Sequence, residues 1–314
     1  MNKPHVLQVG SYPEWDRGPL DAAFTMHRCF EAADRAAFLA EVGPKIQAIA
    51  TRGDLGADAA MIAACPQVKL IAVYGVGYDA VDLPVARSRG IEVCNTPDVL
   101  NEDCADLGVA MMLGAARSLN GAEAWVRDGS WAARGSYPLQ RRVWGQRAGI
   151  LGLGRIGRAV GMRLAGFGMN IAYSARTAKD TPGWEYIADP VALAARSDFL
   201  FVTAIANDAT RHIVNADVIR ALGPQGMLIN ISRAANVDEA ALLDALESGG
   251  LGSAALDVFE GEPALNPRFV ALKNVLLQPH HASGTFETRK AMGDLVRRNM
   301  LAHFAGAPLL TPVL

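Results

Sequence analysis

Cysteine is scarce: the 314 residues hold four, Cys29, Cys65, Cys94 and Cys104, and no two form a Cys-x-x-Cys pair. Such spacing suits neither a disulfide framework nor a zinc site, so free buried thiols in a reducing compartment are expected. Charge of one sign is lacking as well. The formal net charge is −2, without a long run of like charges, whereas nucleic acid or an anionic membrane as main partner calls for a basic surface. Long hydrophobic runs are also missing. The most apolar stretches, Leu107–Ala116 and Phe199–Ala206, fall well short of the roughly 20 residues that span a bilayer. The opening Met1-Asn2-Lys3-Pro4-His5 leads into a short strand pattern rather than a secretory apolar region. A cytoplasmic protein with neither nucleic acid nor membrane as partner is therefore expected.

What is present is an ordinary globular composition, 51% hydrophobic and 20% charged, with enough length for two domains at roughly 100–200 residues each. Short apolar runs alternate with helical patterns almost from end to end, the signature of a parallel sheet with crossover helices and hence of the α/β class. Expected strands are His5–Gly10, Ile46–Thr51, Leu70–Gly75, Ile91–Thr96, Ala148–Gly152, Asn170–Ser174, Phe199–Ala204, Met227–Ile231, Ser253–Asp257 and Val275–Gln278. Pro97 holds the residue before it extended, and a long helical pattern follows from about Asn101 to Arg117. A last helical pattern, about Thr285–Phe304, can return to the first domain. The expected division is therefore an outer domain of residues 1–98 and 285–314 around an inserted domain of residues 99–284.

Gly152, Gly154 and Gly157 form G-x-G-x-x-G between a strand pattern and a helix whose apolar face is Ile156, Val160, Leu164 and Phe167. Each glycine has a task in dinucleotide binding: Gly152 for the tight turn, Gly154 for close approach of backbone to pyrophosphate, and Gly157 for packing helix on strand. The helix N-terminus, with Arg155 and Ile156, offers N–H groups to the phosphates. The next strand ends in Tyr173-Ser174-Ala175-Arg176-Thr177, without the acid that usually binds an NAD ribose. Ser174, Arg176 and Thr177 can instead donate to a 2′-phosphate, so NADP(H) is the expected cofactor.

Three further strand ends carry polar residues: Arg233, then Asp257 with Glu262, then His280 with His281. Reduction of a 2-oxo acid by hydride needs a proton donor at the carbonyl, which a protonated His provides. A neighbouring carboxylate favours the charged imidazole and orients it. An Arg holds the substrate carboxylate and polarises the carbonyl. Arg233, Glu262 and His280 fit these roles as a set.

With Gly75-Val76-Gly77-Tyr78-Asp79, Asn95-Thr96-Pro97, the glycine loop, Ile229 to Arg233, Leu256-Asp257-Val258, Glu262-Pro263 and Pro279-His280 in that order, the chain resembles the D-isomer-specific 2-hydroxyacid dehydrogenases over nearly its whole length. It looks closest to their NADPH-linked glyoxylate/hydroxypyruvate and hydroxyphenylpyruvate reductases. The resemblance implies two Rossmann-like domains, a doubly wound cofactor domain inserted into a flavodoxin-like substrate domain, and usually a homodimer. It implies that Arg233 binds substrate, that Glu262 pairs with His280, and that His280 rather than His281 is the acid/base, since Pro precedes the catalytic His in the family motif. It implies that Asp257 and the backbone at Ile231 contact the nicotinamide end, and that Val76 and Gly77 hold the substrate carboxylate through their N–H groups. Arg52, after the second expected strand, is a candidate for the substrate pocket. Ala234, Asp106 and Ile205 depart from the family's usual Gly, Glu and Pro. Glu262 argues against the formate dehydrogenase branch, which has Gln there. The alternative on the same fold is a dinucleotide-sensing regulatory protein.

Overall fold

In the computed structural model, which describes residues 3–314, the chain divides into two compact units. One runs to Leu100 and resumes over Ser283–Leu314; the other is Asn101–Ala282. Met1 and Asn2, where the outer domain is expected to begin, lie outside the described residues.

The first unit contains β1 (His5–Gln8), α1 (Glu14–Ala23), β2 (Thr25–Arg28), α2 (Arg35–Val42), β3 (Ala48–Arg52), α3 (Ala59–Ala64), β4 (Leu70–Tyr74), α4 (Leu83–Ser88) and β5 (Glu92–Cys94). All neighbouring strands are parallel, in the order β2-β1-β3-β4-β5, which is the flavodoxin-like order. Parallel sheets are covered on both faces and need continuous apolar strands. Accordingly Ala48, Ile49, Ala50 and Leu70 to Val73 are wholly buried. The helices start on acidic caps: Asp34 accepts from Ala36 and Ala37 N–H, Asp58 from Met61 and Asp82 from Val85, each worth about 1 kcal/mol.

The second unit contains α5 (Asn101–Ala116), α6 (Leu119–Arg127), α7 (Ser130–Arg134), β6 (Arg147–Leu151), α8 (Arg155–Gly166), β7 (Asn170–Ser174), β8 (Glu185–Tyr186), α9 (Pro190–Ala195), β9 (Phe199–Val202), α10 (Ala216–Leu222), β10 (Met227–Asn230), α11 (Glu239–Ser248), β11 (Ser253–Leu256), α12 (Arg268–Ala271) and β12 (Val275–Leu277). Its parallel sheet runs β12-β11-β10-β9-β6-β7-β8. Counted from β6, this is the doubly wound dinucleotide-binding order with one strand added, and the order reverses between β6 and β9. One face packs Ile150, Phe199, Phe201 and Ile229 under α5 and α8; the other packs Leu200, Val202 and Leu228 under α9, α10 and α11. Burying each such side chain contributes about 1.5–3 kcal/mol. Gly108 lets α5 approach Ile231, since a Cβ there would stand 2.8 Å from its Cδ1. Arg163 of α8 ties α5 through Glu102 (2.8 Å) and Asp106 (2.6 Å). Asp106, short for that helix position, thus has a partner.

The two sheets bear out the expected fold class. Every expected strand is present, but most ladders stop a residue or two early. Val9, Gly152, Ile231, Asp257 and Gln278 each still donate one N–H to the neighbouring strand as the chain peels away. Two edge strands escape the sequence pattern. β2 is only half-buried and does not alternate, and β8 has two residues. The four cysteines are free and buried, as expected.

The long last helix, α13 (Phe286–Phe304), is capped by Thr285 and belongs to the first unit. Beyond it the tail lies antiparallel along β5, with a bridge between Cys94 and Pro312 and Val313 N–H donating to Val93. α13 packs on α1, where Gly293 leaves room for the Asp16 carboxylate that any Cβ would strike. Asp16 is 8% exposed, and its Oδ2 has no hydrogen-bond partner. Burial, opposed by Arg297 and aided by Asp294, raises its pKa to about 6. The folded state therefore holds a proton that the unfolded chain loses near pH 4, so stability falls as pH rises from about 4 to about 6. Asp16→Asn removes the buried charge. Thermal melts should show a midpoint gain of roughly 2–4 °C at pH 8 that is about halved at pH 5 and largely disappears at pH 3. A gain of equal size at all three values would contradict this account.

Candidate active site

The sheet of the second unit sends its functional residues out at strand carboxyl ends, where open α/β sheets bind ligands. β6 delivers Gly152 with φ +99°, and a Cβ on it would lie 2.5 Å from Ala204 N and Cα, the chain leaving β9. The loop is thus pinned at the point where strand order reverses. Gly157 is equally constrained: its Cβ would collide with Gly152 O and stand 2.7 Å from Thr203 Oγ1. Gly154 instead faces open space and caps α8 without any side-chain bond to the first-turn N–H groups. A cradle of this kind, closed on the protein side and open at an uncapped helix N-terminus, fits a pyrophosphate. Arg155 is exposed beside it, and Ile156 packs into the core.

At the end of β7 the three expected phosphate donors separate. Ser174 is buried, its hydroxyl donating to Ala188 O at 3.0 Å. In this structure its proton serves the fold. Arg176 and Thr177 are exposed immediately beyond.

Arg233 follows β10. Its position is set by Asn230, a buried residue whose Oδ1 accepts from Ser232 N–H (3.0 Å) and Oγ (2.9 Å) while its Nδ2 donates to Arg233 O (3.0 Å). Asn236, wholly buried, braces the same turn from below through Ala204 O and Ser232 Oγ. Ala234 opens a short 3-10 turn over Ala234–Asn236 without a positive φ, so its backbone does not require the family's glycine.

The neighbouring strands bring Glu262 and His280 together. Glu262 Oε2 lies 2.6 Å from His280 Nδ1, and Oε1 accepts from Phe259 N–H at 2.7 Å. Both side chains remain about a third exposed, at 27% and 34%. His280 is in the left-handed region, φ +50°, a conformation that a non-glycine residue holds only when its surroundings fix it. Part of that fixing comes from Asp257. Its buried carboxylate accepts from His281 N–H through Oδ1 and from Ala282 N–H through Oδ2, each at 2.9 Å. Burial, countered by these two bonds, raises its pKa. The His281 ring contacts Gln278 Oε1 through Nε2 at 2.7 Å. Arg233 thus stands one strand from Asp257 and two from His280, at the ends of β10, β11 and β12. Asp257 and Ile231, expected near a nicotinamide, are both buried.

Val76, Gly77 and Arg52 belong to the first unit. Val76 O accepts from Asn95 Nδ2 at 2.9 Å, and Gly75 is held on both sides by Thr96, which fixes the loop after β4. Arg52, at the end of β3, already makes a two-pronged bond to Asp54 at 3.0 and 2.8 Å. Motif reading did not single out Asn230, Asn236 or the brace role of Asp257. The only available signal was a polar residue at a strand end.

Residues 109–282 match the family described as D-isomer specific 2-hydroxyacid dehydrogenase, NAD binding domain. The chain is 44% identical over 294 residues to the hydroxyphenylpyruvate reductase of Plectranthus scutellarioides, covering 94% of each. A solved 2-hydroxyacid dehydrogenase from Ketogulonicigenium vulgare is 67% identical with a TM-score of 0.93, over 100% of this chain and 99% of that one. The NADPH-dependent glyoxylate/hydroxypyruvate reductase of Sinorhizobium meliloti, solved with NADP and malonate, is 41% identical with a TM-score of 0.93, over 99% of this chain and 97% of that one. Sequence order, sheet topology and these similarities agree: the chain belongs to the D-isomer specific 2-hydroxyacid dehydrogenase family.

Proposed function

We propose that this protein reduces small 2-oxo acids, of the glyoxylate, hydroxypyruvate or phenylpyruvate type, to D-2-hydroxy acids at the expense of NADPH. The observation that carries the reading is the 2.6 Å contact of Glu262 Oε2 with His280 Nδ1 at the carboxyl ends of a dinucleotide-type sheet. With Nδ1 engaged by the carboxylate, His280 presents Nε2 to the substrate carbonyl and gives its proton to the oxygen. Arg233 grips the substrate carboxylate and polarises the carbonyl. The N–H groups of Val76 and Gly77 hold the same carboxylate, and Arg52 serves the pocket once it exchanges Asp54 for substrate. When bound, NADPH would supply the hydride for C2. Gly152, Gly154 and Gly157 with Arg155 and Ile156 seat the pyrophosphate. Ile231 and Asp257 face the nicotinamide end. Arg176 and Thr177, with Ser174 at the strand end, would bind the 2′-phosphate.

In this reading the second unit is the cofactor domain and the first the substrate domain. The working form is a homodimer in the cytoplasm. The reductase and dehydrogenase names of the relatives favour an enzyme over a regulatory dinucleotide sensor.

His280→Ala should lower kcat/KM for glyoxylate or hydroxypyruvate by about 10²–10⁴, while His281→Ala stays within about tenfold, as its ring serves Gln278. Steady-state rates of the two variants decide the assignment, and loss of turnover only in the His281 variant would reverse it. Arg176→Ala should raise KM for NADPH about tenfold, the worth of one charge-assisted contact, and leave KM for NADH nearly unchanged. Wild-type kcat/KM that is equal or better with NADH would refute the cofactor preference.

A further inference from the structure

Glu239 is the first residue of α11, just after the Asp238 cap. An acid there ordinarily serves the helix dipole. Here its side chain reaches across to the next strand's loop, and Oε2 accepts from Glu260 N–H at 2.9 Å. Glu260 lies in the segment that leaves β11 and carries Glu262. Phe259 N–H, next in line, binds Glu262 Oε1. Two successive backbone donors are thus held by two carboxylates, one from α11 and one from the acid that pairs with His280.

We propose that Glu239 is a positioning residue for the Glu262–His280 pair, fixing the 259–262 turn so that Glu262 meets His280 Nδ1. This rests on the acid/base reading of that pair. Glu239 touches neither member of it, so it acts through the backbone of Glu260. Its setting is consistent with an anchor: it is half-buried, and burial raises its pKa, opposed by the Glu260 N–H bond and reinforced by the Glu260 carboxylate. Besides His280, which meets Glu262, His212 faces this turn: its Nε2 stands 3.9 Å from Glu260 Oε1, too far for a hydrogen bond, and is otherwise unpartnered and buried. Glu239 therefore holds the main chain of the turn, while the Glu260 side chain is left to His212.

A helix-dipole role depends on charge, and a positioning role depends on an acceptor oxygen. Glu239→Gln separates them, since its amide oxygen still accepts from Glu260 N–H. The test is the pH profile of kcat/KM for glyoxylate with NADPH for wild type, Glu239→Ala, Glu239→Gln and Glu262→Gln, together with amide exchange at Glu260 in the cofactor-free protein. A turn that drifts weakens the carboxylate's hold on the protonated imidazole. Glu239→Ala should therefore lower kcat about tenfold, move the basic limb down by about half a pH unit and speed Glu260 exchange, with KM for NADPH little changed. Glu239→Gln should restore all three. An unmoved basic limb in Glu239→Ala, or a Gln variant no better than Ala, would overturn the proposal. Glu262→Gln distinguishes the levels. If its basic limb also stays in place, the acid/base reading fails; if only its limb moves, the role of Glu239 alone fails.

Discussion

One carboxylate, that of Glu262, sets the terms for the rest of the site. One of its oxygens accepts from Phe259 N–H and the other meets His280 Nδ1 at 2.6 Å. An imidazole has two nitrogens, and occupying one decides which faces the substrate. For this to work, two loops from different strands must arrive in register. The β11 loop is held by Glu239 and the β12 loop by the two N–H groups that Asp257 accepts. The left-handed backbone at His280 is sustained within that frame.

The same device recurs at several strand ends of the second unit. A buried or half-buried polar side chain captures backbone N–H or carbonyl groups of the turn beside it: Asn230 at the Arg233 turn, Asp257 at the His280 turn, Thr203 on Gly152 O. Each turn leaves the ladder with unpaired main-chain groups, and a fixed side chain satisfies them at less entropy than a mobile loop would require. The side chains proposed for catalysis, Arg233, Glu262 and His280, are then carried on braced backbone.

Much of this was legible in the sequence, for definable reasons. The inner strands are buried on both faces and read as unbroken apolar runs; the glycine loop and the Arg–Glu–His order are local or ordered signals. The edges were illegible because β2 and β8 have one neighbour and weak burial. Ser174 shows what a sequence leaves open at the site. A serine at a strand end can face outward to a phosphate or inward to the fold, and the carbonyl that claims it, Ala188, lies 14 residues on. Asn230, Glu239 and the bracing role of Asp257 escaped for the same reason, since their partners are backbone atoms that every residue possesses.

The sheet margins have a consequence for association. Open strand edges invite a second chain to continue the sheet, and short or covered edges prevent it. Here β8 has two residues, β12 three and β2 four, while β5 is lined by the chain's own tail. Trp184, just before β8, lies where any side chain at Gly161 would sit, so that margin is also anchored to α8. Copies of this protein therefore have little backbone to share. Any pairing between them must be made by helices and loops, and misassembly by strand exchange is disfavoured from the outset.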